Sequence, residues 1–186
     1  PGPSLGTRAG YAFSPDGKEI CYTTKTAREP ELSTDANLWI APVDPDTGAA
    51  ARCLTCGNPG WDGDPAYSPD GRAIAFRSQA EAGHEADLFR LAMYDRGTGE
   101  VRYLTDRKRF DNWVTAFSWL QDSSGIIFEA PVDGATSLHR FDLEGSSIEP
   151  VAAGGTLNGW QPTSTGDAVV VSRSRAAEPY EIFRIP

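Results

Sequence analysis

Short apolar segments alternate with turn residues along this chain, and one turn sequence occurs twice. Ser-Pro-Asp-Gly stands at residues 14–17 and again at residues 68–71, and the apolar segments 19–23 and 73–77 follow. Proline fixes φ near the value that a turn needs, aspartate can bond its own backbone, and glycine tolerates a positive φ. The pattern therefore predicts a strand–turn–strand hairpin at each copy.

Two weaker copies follow. Residues 116–128 contain Leu-Gln-Asp-Ser in the turn, and residues 160–171 contain Ser-Thr-Gly in place of Pro-Asp-Gly. A third strand is predicted after each hairpin, at residues 37–41, 87–91, 137–141 and 181–185, and a fourth strand at residues 52–55, 101–105 and 149–151. No stretch shows the sustained period of a capped helix.

Four short strands in each 40–50 residues are typical of propeller blades. We predict an all-β fold, a β-propeller with about four four-stranded antiparallel blades, at residues 9–56, 64–106, 114–154 and 158–186 of one domain that covers residues 1–186. The last blade lacks its fourth strand, so the propeller is expected to be partial and open. A β-sandwich is the alternative, but it does not need the same turn in four places.

The ends of the chain suggest a segment of something larger. Closed propellers usually have four to eight blades. Residues 1–8 make a poor closing strand, because Pro1 and Pro3 cannot donate to a sheet. We expect a segment of a longer propeller polypeptide, or one piece of an assembly that completes the ring.

The net charge of the chain limits the classes of partner that it is expected to bind. The 186 residues carry a net charge of −9, which argues against binding nucleic acid or an anionic membrane. No apolar run approaches the ~18 residues of a membrane span. We predict no cofactor and no metal.

Three cysteines allow several interpretations. Cys53 and Cys56 are spaced as in a disulfide or as half of a metal site. A zinc site takes about four ligands, and only His84 and His139 could add to them. Alternation along the fourth strand would point Cys53 and Cys56 to opposite faces, which disfavours a shared metal. We expect unbonded structural cysteines, with a disulfide or a metal site as the alternatives.

Several segments resemble the propeller of prolyl oligopeptidase-family serine peptidases, nearest to the dipeptidyl-peptidase V and acylaminoacyl-peptidase branch. The matching segments are residues 32–39, 54–62, 65–71, 74–77, 83–87, 94–100 and 110–111. Ser-Pro-Asp-Gly alone also occurs in Tol-type propellers, whereas the stretch from residue 61 to residue 100 is more specific.

The resemblance covers none of the family's α/β-hydrolase domain, which carries the catalytic serine, aspartate and histidine. It therefore implies no catalytic residue in this chain, a hydrolase domain of the parent polypeptide as partner, and a peptide as substrate. The family includes exported and cytosolic members; we expect a periplasmic or secreted location, with the cytoplasm as the alternative.

The candidate site lies on the loops that leave one face of the blades. Long loops on a rigid scaffold often carry binding residues. These loops bring together aromatic and acidic side chains: Trp61, Phe110, Trp113, Trp160, Glu29, Glu31, Glu81, Glu85, Asp87, Asp111 and Asp133.

Related dipeptidyl peptidases hold the substrate's α-amino group with propeller carboxylates. The resemblance thus implies that Glu85 and Asp87 anchor the ammonium and that Arg77 fixes a carboxylate or a substrate carbonyl. The alternative is that both acids form structural salt bridges with Arg77 or Arg90. Trp61 and Trp113 could stack on substrate, although packing between blades is the favoured interpretation.

The leading function is a non-catalytic propeller segment of a serine exopeptidase that gates access and helps bind the peptide N-terminus. The alternatives are a Tol-type propeller that binds a protein partner, and a small domain that forms a ring by self-association.

Overall fold

The computed structural model describes residues 10–26, 28–29 and 32–186. The expectations placed on residues 1–8 and on Glu31 therefore lie outside the described residues. Within them the chain forms fifteen strands and a short 3₁₀ turn at Pro45–Thr47, and they contain no α-helix.

Four antiparallel sheets follow one another along the chain, each with its strands in sequence order. The first contains β1 (Tyr11–Phe13), β2 (Glu19–Thr24), β3 (Asn37–Pro42) and β4 (Arg52–Cys53). The second contains β5 (Asp62–Tyr67), β6 (Ala73–Ser78), β7 (Arg90–Asp95) and β8 (Val101–Tyr103). The third contains β9 (Ala116–Trp119), β10 (Gly125–Val132), β11 (Ala135–Asp142) and β12 (Ile148–Ala152). The fourth contains β13 (Thr156–Pro162), β14 (Val169–Arg175) and β15 (Glu178–Ile185).

These meanders confirm the predicted all-β fold built of propeller blades, with three strands in the last. The chain divides into two compact units, Pro1–Asp106 and Arg107–Pro186. The first unit holds the first and second sheets, and the second unit holds the third and fourth.

The repeated turn has the same geometry in its two full copies. Gly17 donates its amide to the Ser14 carbonyl at 2.9 Å, and the Ser14 hydroxyl donates to the Asp16 carboxylate at 2.6 Å. The corresponding distances at Ser68 are 2.8 and 2.6 Å. Both glycines have φ of +71°, a region that L-residues with a Cβ avoid. Serine, aspartate and glycine thus each contribute to the turn itself.

The two weaker copies form the same turn, as predicted. Gly166 donates to the Thr163 carbonyl at 3.0 Å and has φ of +73°. In the third copy, Ser123 donates to the Leu120 carbonyl at 3.0 Å, and Ser123 takes the glycine position with φ of +60°. The turn has therefore kept its backbone path while its side chains changed.

The predicted strand at residues 87–91 was placed too early, since β7 begins at Arg90. Residues 87–89 belong to the preceding loop for a reason given below. The fourth strands of the first two sheets are also shorter than predicted, whereas β12 is longer than the predicted 149–151. The hydroxyl of Thr55 accepts from the Leu38 amide at 3.0 Å, and that of Thr105 accepts from the Leu91 amide at 2.8 Å. A side chain thus continues the hydrogen bonding where the strand has ended.

Each unit has its own hydrophobic core between two sheets. In the first unit, the buried residues are Cys21, Leu38 and Ile40 of the first sheet and Tyr67, Ile74, Phe76, Ala92 and Tyr94 of the second. In the second unit, the buried residues are Ile127, Leu138 and Ala152 of the third sheet, Leu120 directly after β9, and Leu157, Val169 and Val171 of the fourth sheet. Alternate residues of the strands supply these contacts, as the period of two requires.

Candidate functional site

The loop between β6 and β7 is shaped around the carboxylate of Asp87. This buried carboxylate accepts from the amides of Ala80 at 2.6 Å, Glu81 at 3.1 Å and Leu88 at 2.7 Å. Burial opposes the charged form, but these bonds outweigh it and hold the pKa of Asp87 below its usual value. Asp87 is therefore an ionised loop cap, which explains why the strand starts only at Arg90.

Gln79 supports the same loop from the end of β6. Its side-chain amide donates to the Glu85 carbonyl at 3.0 Å and to the Asp87 carbonyl at 2.8 Å. The Glu85 side chain is exposed. The main chain of Glu85 is thus held in place while the residue itself is exposed to solvent.

Arg77 is occupied by a neighbouring acid of its own sheet. Its Nε donates to Asp64 Oδ2 at 2.7 Å, and both side chains are largely buried. The guanidinium also lies over the Phe89 ring at 4.6 Å and near the Trp61 ring at 5.5 Å. Asp64 adopts φ of +55°, a strained conformation that the pair helps to hold.

Trp61 is packed within its own blade. Its ring lies against Gly63, where an added Cβ would overlap the six-membered ring, and it meets Phe89 edge-on at 5.4 Å. The Trp61 carbonyl accepts from the Gln79 amide at 2.7 Å. Trp61, Arg77, Gln79, Glu85 and Asp87 therefore form one connected region of the first unit.

Trp113 belongs to the second unit, where it is exposed and its backbone amide donates to the Asn112 side-chain oxygen at 2.9 Å. Phe110 and Trp160 of that unit have partners within the unit. Phe110 meets Phe128 edge-on at 5.1 Å, and Trp160 Nε1 donates to Glu129 at 2.9 Å.

A buried polar group beside the loop went unnoticed in the sequence. Asn58 donates through its amide to Asp62 Oδ1 and to the Gln79 carbonyl, each at 2.8 Å. Burial raises the pKa of Asp62 to about 6, against the effect of hydrogen bonds from Ser78, Thr55 and Asn58. The sequence signal that could have revealed this group was the aspartate at the first residue of β5, Asp62, which is buried.

The expectation of unbonded cysteines at residues 53 and 56 was wrong. Cys53 and Cys56 form a disulfide, with Cα atoms 5.8 Å apart. Alternation does not apply to this pair, because β4 ends at Cys53 and Cys56 lies in a turn, closed by the Asn58 amide donating to the Thr55 carbonyl at 2.9 Å. Cys21 is the buried free thiol, and burial raises its pKa to about 12.

Neither a cluster of metal-ligating side chains nor a membrane-spanning helix is present among the residues that the structure describes. Over residues 10–26, 28–29 and 32–186 there is no group of three or more metal-ligating side chains. No helix among those residues has the length and apolarity to cross a membrane. One Gly-x-Ser-x-Gly sequence is present, at residues 2–6, outside the described residues. That motif acts as a nucleophile elbow only between a strand and a helix.

Comparison with known proteins supports the resemblance. No family model matches the chain. Dipeptidyl-peptidase 5 of Porphyromonas gingivalis is 30% identical over 178 residues, which cover 94% of this chain and 25% of that protein. The chain thus spans about a quarter of the length of this relative.

Two solved structures share the fold. A Mycobacterium tuberculosis puromycin-hydrolyzing peptidase matches with a TM-score of 0.67 and 18% identity, over 94% of this chain and 29% of that one. A putative TolB from Agrobacterium tumefaciens matches with a TM-score of 0.66 and 21% identity, over 90% and 55%. At these identities the solved structures show the fold alone. The relative found by sequence indicates the peptidase family rather than the TolB proteins. The chain is a β-propeller segment of the prolyl oligopeptidase family of serine peptidases, related to dipeptidyl-peptidase 5.

Proposed function

We propose that this chain is the non-catalytic propeller segment of a serine exopeptidase, in which it gates access to the catalytic domain and helps bind the N-terminus of the peptide substrate. The observation that carries the proposal is the exposed Glu85 carboxylate on a loop whose backbone is held by Gln79 and Asp87. The relative named dipeptidyl-peptidase 5 supports the class of substrate.

Each residue of the region has a distinct role in this proposal. Glu85 provides the acceptor-only group that a peptide ammonium needs, and a charge-assisted hydrogen bond is stronger than a neutral one. Asp87 is a positioning residue, because its oxygens already accept backbone amides of the loop. Arg77 also acts by positioning, through its pairing with Asp64.

The two tryptophans have different roles in this proposal. Trp61 forms the packed base beneath the loop. Trp113 is an exposed aromatic of the second unit, and we assign it to apolar contact with substrate side chains. The catalytic nucleophile is supplied by an α/β-hydrolase domain of the parent polypeptide.

The test is a comparison of substrates in the full-length polypeptide. Glu85→Gln should lower kcat/KM for dipeptide substrates with free amino termini by about tenfold or more, as expected for loss of one charge-assisted bond. The same substrates with acetylated termini should change little. Glu100→Gln, at an exposed turn of the same blade, is the matched control and should behave as wild type. An equal loss on free and acetylated substrates would refute the clamp.

A further inference from the structure

The tip of the loop between β6 and β7 bonds to a residue of the first blade. Gly83 donates its backbone amide to the Thr34 hydroxyl at 2.7 Å, across 49 positions of the sequence. The loop anchors described above, Asp87 and Gln79, belong to the second blade itself. Because Gly83 lies two residues before Glu85, the Thr34 hydroxyl restrains the loop close to the carboxylate that is proposed to bind the substrate.

Thr34 is itself held in place on both sides along the chain. Before it, the Ser33 carbonyl accepts from Lys25 Nζ at 2.6 Å. After it, the buried Ala36 forms a parallel bridge with Trp61, immediately before β5, through hydrogen bonds of 2.7 and 3.3 Å. The hydroxyl that accepts from the loop is therefore on a segment whose backbone is already fixed between the first two blades.

The part of the loop that receives this bond has few restraints of its own. Residues 81–86 are all exposed. Their backbone forms two successive turns, in which the His84 amide donates to the Glu81 carbonyl at 3.4 Å and the Asp87 amide donates to the His84 carbonyl at 3.1 Å. Exposed turns with no buried side chain open at low cost. A bond from Gly83 to the first blade thus adds a fixed point where the loop most needs one.

We propose that Thr34 is a positioning residue of the ammonium clamp, so that the clamp is assembled from two blades rather than on one loop. This inference rests on the proposed function of Glu85. By accepting from Gly83, the Thr34 hydroxyl limits the positions that the Glu85 carboxylate can reach before a peptide binds, and so reduces the ordering cost of binding the peptide N-terminus. Thr34 acts through Glu85, and its contribution depends on that carboxylate.

The size of the effect follows from the kind of bond. A neutral hydrogen bond contributes a factor of about two to ten to an equilibrium. Because Gly83 is exposed, water can take the place of the lost acceptor. Removal of the Thr34 hydroxyl should therefore disturb the geometry of the clamp while the fold is retained.

The test compares substrates in the full-length polypeptide. Thr34→Val keeps the shape of the side chain and removes the hydroxyl. The ratio of kcat/KM for dipeptide substrates with free amino termini to kcat/KM for their acetylated forms should fall about two- to tenfold. Thr34→Ser keeps the hydroxyl and should keep the wild-type ratio. Thr98→Val is the matched control and should also keep it, because the Thr98 hydroxyl accepts from the Glu100 amide at 3.3 Å in an exposed turn at the opposite end of the second sheet.

A double variant shows whether Thr34 acts through Glu85. In the Glu85→Gln background, Thr34→Val should not lower the ratio further, since residues that act as one unit are not additive. A full further fall in the double variant, or an unchanged ratio in Thr34→Val while Glu85→Gln lowers it, would overturn this inference and leave the proposed function standing. An unchanged ratio in Glu85→Gln would refute the proposed function, and this inference with it.

Hydrogen exchange checks the contact without substrate. Backbone amides of the segment that contains Gly83 should exchange at least about twofold faster in Thr34→Val than in wild type or Thr34→Ser. Thr98→Val should leave the exchange of this segment unchanged. Equal exchange rates in Thr34→Val and wild type would show that the hydroxyl does not restrain the loop, and would overturn the inference whatever the kinetics of Glu85→Gln.

Discussion

The guanidinium of Arg96, in the turn after β7, donates to the carboxylate of Glu19 on β2 and so joins the second sheet to the first. A second nitrogen of Arg96 donates to the Gly71 carbonyl at 2.6 Å, and the guanidinium lies 5.3 Å from the centre of the Tyr67 ring. One side chain thus connects two blades and the Ser-Pro-Asp-Gly turn of the second.

Arg96→Ala should lower the free energy of unfolding by about 1–2 kcal/mol, because Glu19 and Gly71 lose their donor in a partly buried place. Arg96→Lys should recover only part of this loss, since lysine lacks the planar fork. Urea denaturation measures both. Arg72→Ala is the control, because its pair with Asp70 is exposed and 3.9 Å long. A loss as large in the control would contradict the proposed link between blades.

Ser123→Gly should raise the free energy of unfolding by about 0.5–1 kcal/mol, because Ser123 occupies a left-handed conformation in the place where the three other copies have glycine. The midpoint of urea denaturation should move upward. Ser124→Gly provides the contrast, since it removes a hydroxyl that donates to Asp122 at 2.7 Å and should be destabilising. A loss of stability in Ser123→Gly would show that the strain is absent.

Cleavage of the Cys53–Cys56 disulfide should lower the free energy of unfolding by about 2 kcal/mol, the entropy estimate for so short a loop. The double variant Cys53→Ser/Cys56→Ser should show the same loss without reductant and no further change when reductant is added. A thiol count in denaturant should give one free thiol before reduction and three afterwards. Three thiols before reduction would contradict the disulfide.

Because of Asp62, the free energy of unfolding should fall as pH rises from about 4 to about 6. Its folded-state pKa of about 6 lies above the ordinary 3.8, so the folded state binds the extra proton in this window and loses that advantage as pH passes 6. The free energy of unfolding of wild type minus that of Asp62→Asn should therefore fall with rising pH, by about 1–3 kcal/mol in total.

For Asp70 the trend should be the opposite. The free energy of unfolding of wild type minus that of Asp70→Asn should rise with pH. Hydrogen bonds from the Ser68 hydroxyl and the Arg72 amide hold the pKa of Asp70 below its ordinary value, so its contribution is present above about pH 4 and is lost as pH falls. Unfolding in urea at several pH values measures both differences. If the free energy of unfolding of wild type minus that of Asp62→Asn does not change with pH, the pKa of Asp62 is not raised in the folded state.

The repeat and its turns followed from the sequence because their causes are local. Proline, aspartate and glycine act within four residues, and strand alternation has a period of two. Even the third and fourth turns were predicted correctly after losing most of the motif, since the spacing and the apolar segment that follows remained. The strand ends at residues 55 and 87 were less predictable, because a side chain takes over from the sheet there.

The sequence by itself determined the all-β architecture, the four turns and the family, all of which depend on neighbouring residues or on motifs. Only the tertiary structure decided that Asp87 caps its loop, that Arg77 pairs with Asp64, that Cys53 bonds Cys56 and that Asp62 is buried with a raised pKa. The physical reason is that a side chain's role depends on the partners and the water around it, and these are set when separate strands and loops meet in the folded chain.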